Sequence, residues 1–254
     1  MPKSPHYFQN KTILITGGAS GIGKSAALIF AREGANVIVA DINELEAETV
    51  ATEIRETNAN AEAIQVDVTD RAAVDELVLQ GIDCFGKINF LLNSAGSAGR
   101  RSSFLEIDQN LWRDTYALNV DGVFNTIQSV LPHMLSNGHG VIVNIASMAH
   151  RRGGPGHSTH YASAKGAVVT LTMGVAREFV GRGIRAISIS PGPIDTAFQA
   201  ISSPELKQRM INDVPMRRMG SPEEIGEMAL FICSDACEFM TADTIYINGG
   251  GGFR

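Results

Sequence analysis

The chain has 254 residues, 44% hydrophobic and 19% charged, which is enough apolar surface to pack the core of one α/β unit. Its net charge of −6 excludes the basic field that general binding to nucleic acid or anionic membrane requires. Three cysteines, Cys84, Cys233 and Cys237, are too few for a disulfide framework and read as reduced, apolar packing residues; no metal site is expected. At the start of the chain, "MPKSPHYFQNK" has no apolar signal region, and no later run reaches the ~18 residues that span a bilayer. The expected setting is a soluble protein of a reducing, cytoplasmic compartment.

In chain order, "TILITGG", "NVIVADI", "AIQVDV", "INFLLNSAG", "GVIVNIAS", "IRAISISPG" and "TIYINGG" predict seven strands. They are short and almost continuously apolar, as strands covered on both faces are. Six helical patterns alternate with them: "GKSAALIFAREG", "NELEAETVATEIRET", "RAAVDELVLQGIDCFG", "IDQNLWRDTYALNVDGVFNTIQSVLPHML", "HYASAKGAVVTLTMGVAREFVGRG" and "SPEEIGEMALFICSDA". The last opens with a serine cap, a first-turn proline and two acids. Strand–helix alternation predicts a doubly wound parallel seven-stranded sheet of the Rossmann type in a single domain, 1–254, with helices on both faces. Ligands of such sheets bind beyond the carboxyl ends of the strands. Residues 193–220, "PIDTAFQAISSPELKQRMINDVPMRRMG", interrupt the rhythm above those ends and are expected to form a substrate lid, with Ile201, Met210 and Ile211 as covering residues.

The strand ends hold the candidate chemistry. "TGGASGIG", Thr16 to Gly23, follows the first strand and opens the first helix; Gly17, Gly21 and Gly23 would let backbone approach a pyrophosphate at the positive helix end. Asp41 ends the second strand, where a carboxylate can accept from ribose hydroxyls and repel a 2′-phosphate, which favours NAD over NADP. Asn43 is better placed to cap the following helix. Asp67 ends the third strand, and Asn93, Ala95 and Gly96 end the fourth, leaving room for adenine and its ribose.

Tyr161 and Lys165 stand four residues apart, on one face of a helix that follows the fifth strand. A phenol is too weak a base at neutral pH, and an ammonium beside it is expected to lower its pKa. Ser147, at the end of the fifth strand, could hold a substrate oxygen against Tyr161. Asn119 interrupts a helix, where its amide needs a polar task.

Together these motifs resemble those of the short-chain dehydrogenase/reductase superfamily over essentially the whole chain. "TGGASGIG", "NSAG", Asn119, Ser147, "YASAK" and "PGPIDT" are similar to that family's ordered signatures. The resemblance implies Tyr161 as general acid/base, Lys165 as the group that lowers its pKa and binds the nicotinamide ribose, Ser147 as the orienting hydroxyl, and Asn119 as the holder of a relay water. It implies further cofactor contacts from Ser20, Ile22, Val68, Pro191, Gly192, Ile194 and Thr196. It also implies a homotetramer built on the fourth and fifth helices and the last strand.

The Gly-rich run between Ser147 and Tyr161, expected to be non-helical, carries His150, Arg151, Arg152, His157 and His160, with Arg100 and Arg101 on a neighbouring loop. This cationic excess suggests an anionic substrate contacting Arg100, Arg151 and His157; the alternative is solvated or interface charge. Arg217 and Arg218 read as partners of Glu223 or Glu224. The leading expectation is an NAD(H)-dependent oxidoreductase interconverting a secondary alcohol and a ketone on a sugar, polyol or sugar acid. The alternatives are a 3-oxoacyl-thioester reductase and, in another class, a non-catalytic NAD-binding sensor or scaffold.

Overall fold

In a computed structural model, residues 2–196 and 203–252 are described. Seven parallel strands form one sheet in the order β3-β2-β1-β4-β5-β6-β7. They are β1 (Thr12–Thr16), β2 (Asn36–Asp41), β3 (Ala61–Gln65), β4 (Phe90–Asn93), β5 (Gly140–Ile145), β6 (Ile184–Pro191) and β7 (Thr244–Ile247). The order reverses between β1 and β4, and the switch point opens at their carboxyl ends.

Period-two alternation gives the inner strands two buried faces. Ile13, Ile15, Val37, Val39, Phe90, Leu92, Val141 and Val143 pack into one core with Phe8 and Phe30. Leu14, Ile38, Leu91, Ile142 and Ala186 pack into the other. The first core is covered by α1 (Gly21–Arg32), α2 (Glu44–Arg55) and α9 (Pro222–Cys233); the second by α3 (Arg71–Phe85), α5 (Gly122–Ser136) and α7 (Thr159–Phe179). Gly226 of α9 lets that helix close on α1, since a Cβ there would lie 2.7 Å from Ile29 Cδ1. Asn43, Asp70 and Ser221 cap α2, α3 and α9 as side-chain acceptors, and Ser221 forms a full capping box with Glu224.

Three expectations need correction. β3 lies two residues upstream of its predicted start and ends at Gln65, because it is an edge strand whose Glu62 and Gln65 face solvent. The long fourth helix is divided into α4 (Gln109–Tyr116), a π-helical turn at Ala117–Asp121, and α5. The Gly/His/Arg run is not wholly irregular, since Ala149–Arg152 closes one short helix, α6. Within the proposed lid, α8 (Pro204–Asp213) forms with no buried residue, and the bridge between Ile194 and Gly220 closes the base of the excursion. Ile201 and its neighbours at 197–202 lie outside the described residues.

Among the described residues no helix is long and apolar enough to cross a membrane, and no group of three or more His, Cys, Asp or Glu is arranged to hold a metal.

Candidate active site

A cavity of about 430 Å³ opens at the carboxyl ends of the strands. Gly17, Ser20, Gly21 and Ile22 of the glycine turn line it together with Ser147, Tyr161 and Lys165. Asp41, Asp67, Val68, Ala95, Gly96, Pro191, Gly192, Ile194 and Thr196 line it as well. Sequence reasoning missed Ala40, Ile42, Val66, Ser94, Leu118, Ile145 and Ala146, which also line it. Their only sequence signal is position: each lies within two residues of one singled out on other grounds.

The glycine turn is built for close approach. Gly17 has φ +67°, and a Cβ on it would lie 2.7 Å from the backbone nitrogen of Ala95. Gly23 does not line the cavity; it packs directly on the carbonyl of Gly17, which only a bare Cα permits. Ser20 occupies the N-cap position of α1 without making a side-chain cap bond, and no acid lies in the first turn. The terminal N–H groups of α1 therefore keep their donor capacity at the positive end of the helix dipole. That combination fits a pyrophosphate.

Asp41 binds backbone on both sides: Oδ2 accepts from Ala19 N and Oδ1 from Asn43 N, each at 3.0 Å. Each oxygen keeps a second lone pair that could accept from a ribose hydroxyl. Asp67 lies past the end of β3 and folds its own turn, Oδ1 accepting from Thr69 N and Thr69 Oγ1. Asn93 is a correction, because it does not line the cavity. It is buried beneath it, accepting from Thr126 Oγ1 at 2.7 Å and donating to Asn144 Oδ1 at 2.8 Å, while Asn144 donates to Thr172 Oγ1. This chain of side chains ties α5 to α7 by way of β4 and β5 on the face that both helices cover.

Among the Ser/Tyr/Lys group, Lys165 is 3% exposed, and its Nζ donates to the carbonyl oxygen of Ile145 at 2.8 Å. Loss of hydration pushes its pKa down to about 8. Tyr161 shares a hydrogen bond with Ser147, yet burial pushes its hydroxyl up to about 12, the Ser147 bond opposing. The expected lowering by Lys165 is thus not met in this structure, because the ammonium is held at Ile145, 5.8 Å from the centre of the Tyr161 ring. Ser147 Oγ also accepts from Ala149 N at 3.1 Å.

Asn119 is fully buried in the π-helical turn and does not line the cavity. Its Nδ2 donates to Thr115 O and Ser97 O, at 2.9 and 2.8 Å, while its Oδ1 has no partner. π-turns inside α-helices concentrate at functional sites. A Cβ on Gly96 would lie 2.8 Å from that Oδ1 and 3.1 Å from Lys165 Nζ, so both groups converge on one bare Cα. The orphaned acceptor fits a small donor such as water, and the glycine turn with Asp41 fits a dinucleotide.

The cationic mouth is rearranged by local pairing. Arg100, Arg151 and His157 do not line the cavity. Arg100 is drawn to Asp108 at 2.6 Å, Arg151 lies over the Tyr246 ring at 5.3 Å, and His157 sits exposed in a turn with φ +61°. Arg152 pairs with Asp213 of α8 at 3.1 Å, and Arg101 donates to Gly156 O at 3.1 Å. Arg218 pairs with Glu224 at 2.7 Å, as expected, whereas Arg217 donates to Asn212 O. His160 is not at the mouth at all: it is fully buried, with Nε2 at 2.9 Å from Ala98 O.

A doubly wound sheet whose cavity is lined by both a phosphate-type turn and a Ser/Tyr/Lys group fits an α/β oxidoreductase. A family model described as enoyl-(acyl carrier protein) reductase matches residues 17–251. The chain is 35% identical over 242 residues to the 3-oxoacyl-(acyl-carrier-protein) reductase FabG of Thermotoga maritima, covering 95% of this chain and 98% of that one. It is 37% identical to the 7alpha-hydroxysteroid dehydrogenase of Escherichia coli K12, over 95% of this chain and 94% of that one. The crystal structure of 3-ketoacyl-(acyl-carrier-protein) reductase from Brucella melitensis complexed with NADH matches with a TM-score of 0.91 at 29% identity, covering 97% of this chain and 100% of the other. The protein belongs to the short-chain dehydrogenase/reductase superfamily of oxidoreductases.

Proposed function

We propose that the protein is an NAD(H)-dependent reductase of 3-oxoacyl thioesters, acting in the cytoplasm. The observation that carries the reaction class is the convergence of Ser147, Tyr161 and Lys165 with the uncapped terminus of α1 on one cavity. The substrate class draws on the relatives, among them 3-oxoacyl-(acyl-carrier-protein) reductases, and takes the place of the sugar, polyol or sugar-acid reading. That earlier reading leaned on a cationic mouth whose Arg100 and Arg152 are engaged by Asp108 and Asp213. Asp41 supports NAD over NADP, and the Brucella reductase, with NADH bound, is a case where that cofactor accompanies such a substrate class.

A nicotinamide held by the glycine turn and Asp41 would supply the hydride. The protein's own residues handle the oxygen and its proton. Ser147 donates to the substrate carbonyl oxygen and fixes it beside Tyr161. With its pKa at about 12 the Tyr161 hydroxyl is protonated at neutral pH, ready to give its proton as the oxygen gains charge. Lys165, its ammonium held at the Ile145 carbonyl, fixes the Tyr161 helix against the strand that leads into Ser147, and Asn119 Oδ1 receives a water through which the proton is restored. The presence of all four groups supports an enzyme over a non-catalytic sensor. The lid role of 193–220 belongs to the same reading, supported by α8 standing clear of the core and fastened at Asp213 by Arg152. So does a homotetramer, supported by Phe124 of α5 and Met173 of α7, which are apolar yet 44% and 37% exposed.

The test is NADH oxidation with acetoacetyl-CoA, a 7-oxo bile acid, and a panel of keto-sugars and keto-acids, with NADPH in parallel. Turnover of the thioester with NADH is expected to exceed the others. Turnover confined to the steroid or the sugars overturns the substrate class, and NADH binding without turnover of any favours the sensor.

A further inference from the structure

His160 precedes Tyr161 and is 0% exposed. Consecutive helical residues point roughly 100° apart, so His160 leaves the helix on a different side from Tyr161 and does not line the cavity. It faces the segment between β4 and α4, and its Nε2 lies 2.9 Å from Ala98 O. A carbonyl only accepts, so Nε2 carries the proton and the ring is a donor there. Nδ1 is buried with no partner, so the side chain makes this one hydrogen bond.

The segment it holds has no regular structure from Ser94 to Ser103, yet its first residues, Ser94, Ala95 and Gly96, line the cavity. Irregular segments move unless they are tied. Two side chains from different helices take consecutive carbonyls of this one: Asn119 Nδ2 donates to Ser97 O and His160 Nε2 to Ala98 O. One residue earlier, Gly96 is pressed against Asn119 Oδ1 and Lys165 Nζ. The first turn of α7 thus carries both the proposed proton donor and a clamp on a second segment of the cavity lining.

We propose that His160 is a positioning residue: its Nε2–H bond to Ala98 O locks the β4–α4 segment to the Tyr161 helix and sets the distance between Gly96 and the Lys165–Asn119 pair. This inference rests on the nicotinamide reading of the cavity.

Three variants separate donor geometry from bulk. In His160→Gln the amide nitrogen reaches close to the Nε2 position; in His160→Asn it falls short; in His160→Met the volume remains but the donor is gone. The readouts are the Kd of the full-length protein for NADH, followed by nicotinamide fluorescence, and kcat with NADH and acetoacetyl-CoA. Gln is expected within about threefold of wild type in both, whereas Asn and Met bind NADH at least tenfold more weakly, about 1.4 kcal/mol, and lose kcat by more. Should His160→Met fail to fold, the Gln–Asn comparison decides alone. Equal values for all variants and wild type overturn the proposal, and so does an equal loss in Gln and Asn. Failure of the wild type to bind NADH overturns the nicotinamide reading beneath it.

Discussion

Lys165 stands one helical turn from Tyr161, but its ammonium donates to the carbonyl oxygen of Ile145 at 2.8 Å, on the strand that leads into Ser147. The lysine therefore joins the helix of Tyr161 to the strand end of Ser147 before it does anything to the phenol. Its burial has a consequence for stability. The pKa is about 8 folded against 10.5 in an unhindered chain, so keeping the ammonium charged in the folded protein has a cost that is full below pH 8. The cost shrinks as pH rises through that window and vanishes above 10.5.

Urea unfolding of the wild type and Lys165→Met at several pH values measures this directly. Between pH 7.5 and 10.5 the stability difference is expected to shift toward the wild type by about 3 kcal/mol, at ~1.4 kcal/mol per unit. A difference that stays flat over the window would show that the buried ammonium is hydrated in solution.

Tyr161→Phe removes one oxygen from the cavity and leaves the ring. Loss of a positioned acid is expected to lower kcat by ~10²–10⁴ while the NADH Kd stays within a few-fold. Stopped-flow turnover and fluorescence titration report the two quantities separately, and a variant keeping most of its kcat removes Tyr161 from the proton transfer.

Asp41 both faces the cavity and holds the backbone of Ala19 and Asn43. Asp41→Ala is therefore expected to weaken NAD and NADP binding together through the loosened glycine turn, and to erode the NAD preference about tenfold, since a hydrogen bond at a charged group is worth ~1.5–3 kcal/mol. The ratio of kcat/KM for the two cofactors is the deciding quantity. An unchanged ratio places the discrimination elsewhere.

Gly96→Ala drives a methyl into Asn119 Oδ1 and Lys165 Nζ. The lysine tip can shift but the buried amide has little freedom, so a loss of kcat of at least tenfold is expected with stability lowered by ~1–3 kcal/mol. Thermal unfolding beside steady-state kinetics checks both. Wild-type kinetics would mean that the contact at Gly96 plays no part in turnover.

The local patterns were legible in the sequence. Alternating apolar residues from Ile13 to Ile15 and from Val37 to Ala40 announced strands covered on both faces, because side-chain direction follows from period alone. Ser221 and Glu224 announced a helix start, and Gly17 a turn that admits no side chain, for equally short-range reasons. What depends on partners distant along the chain was not legible. Arg100 and Arg152 read as a cationic mouth until Asp108 and Asp213 appeared beside them. Asn93 read as a cavity residue until Thr126 and Asn144 enclosed it, and His160 as one more loop charge until α7 turned it toward Ala98.

The sequence by itself thus determined the sheet, its helices and the order of chemical groups along the strand ends, since those follow from periodicity, capping and backbone sterics within a few residues. Only the tertiary structure decided which charges face the cavity, which amides brace it, and that Tyr161 is shifted upward rather than down. Those outcomes are set by desolvation and by pairing with residues far away in sequence, and both exist only once the chain has closed around the site.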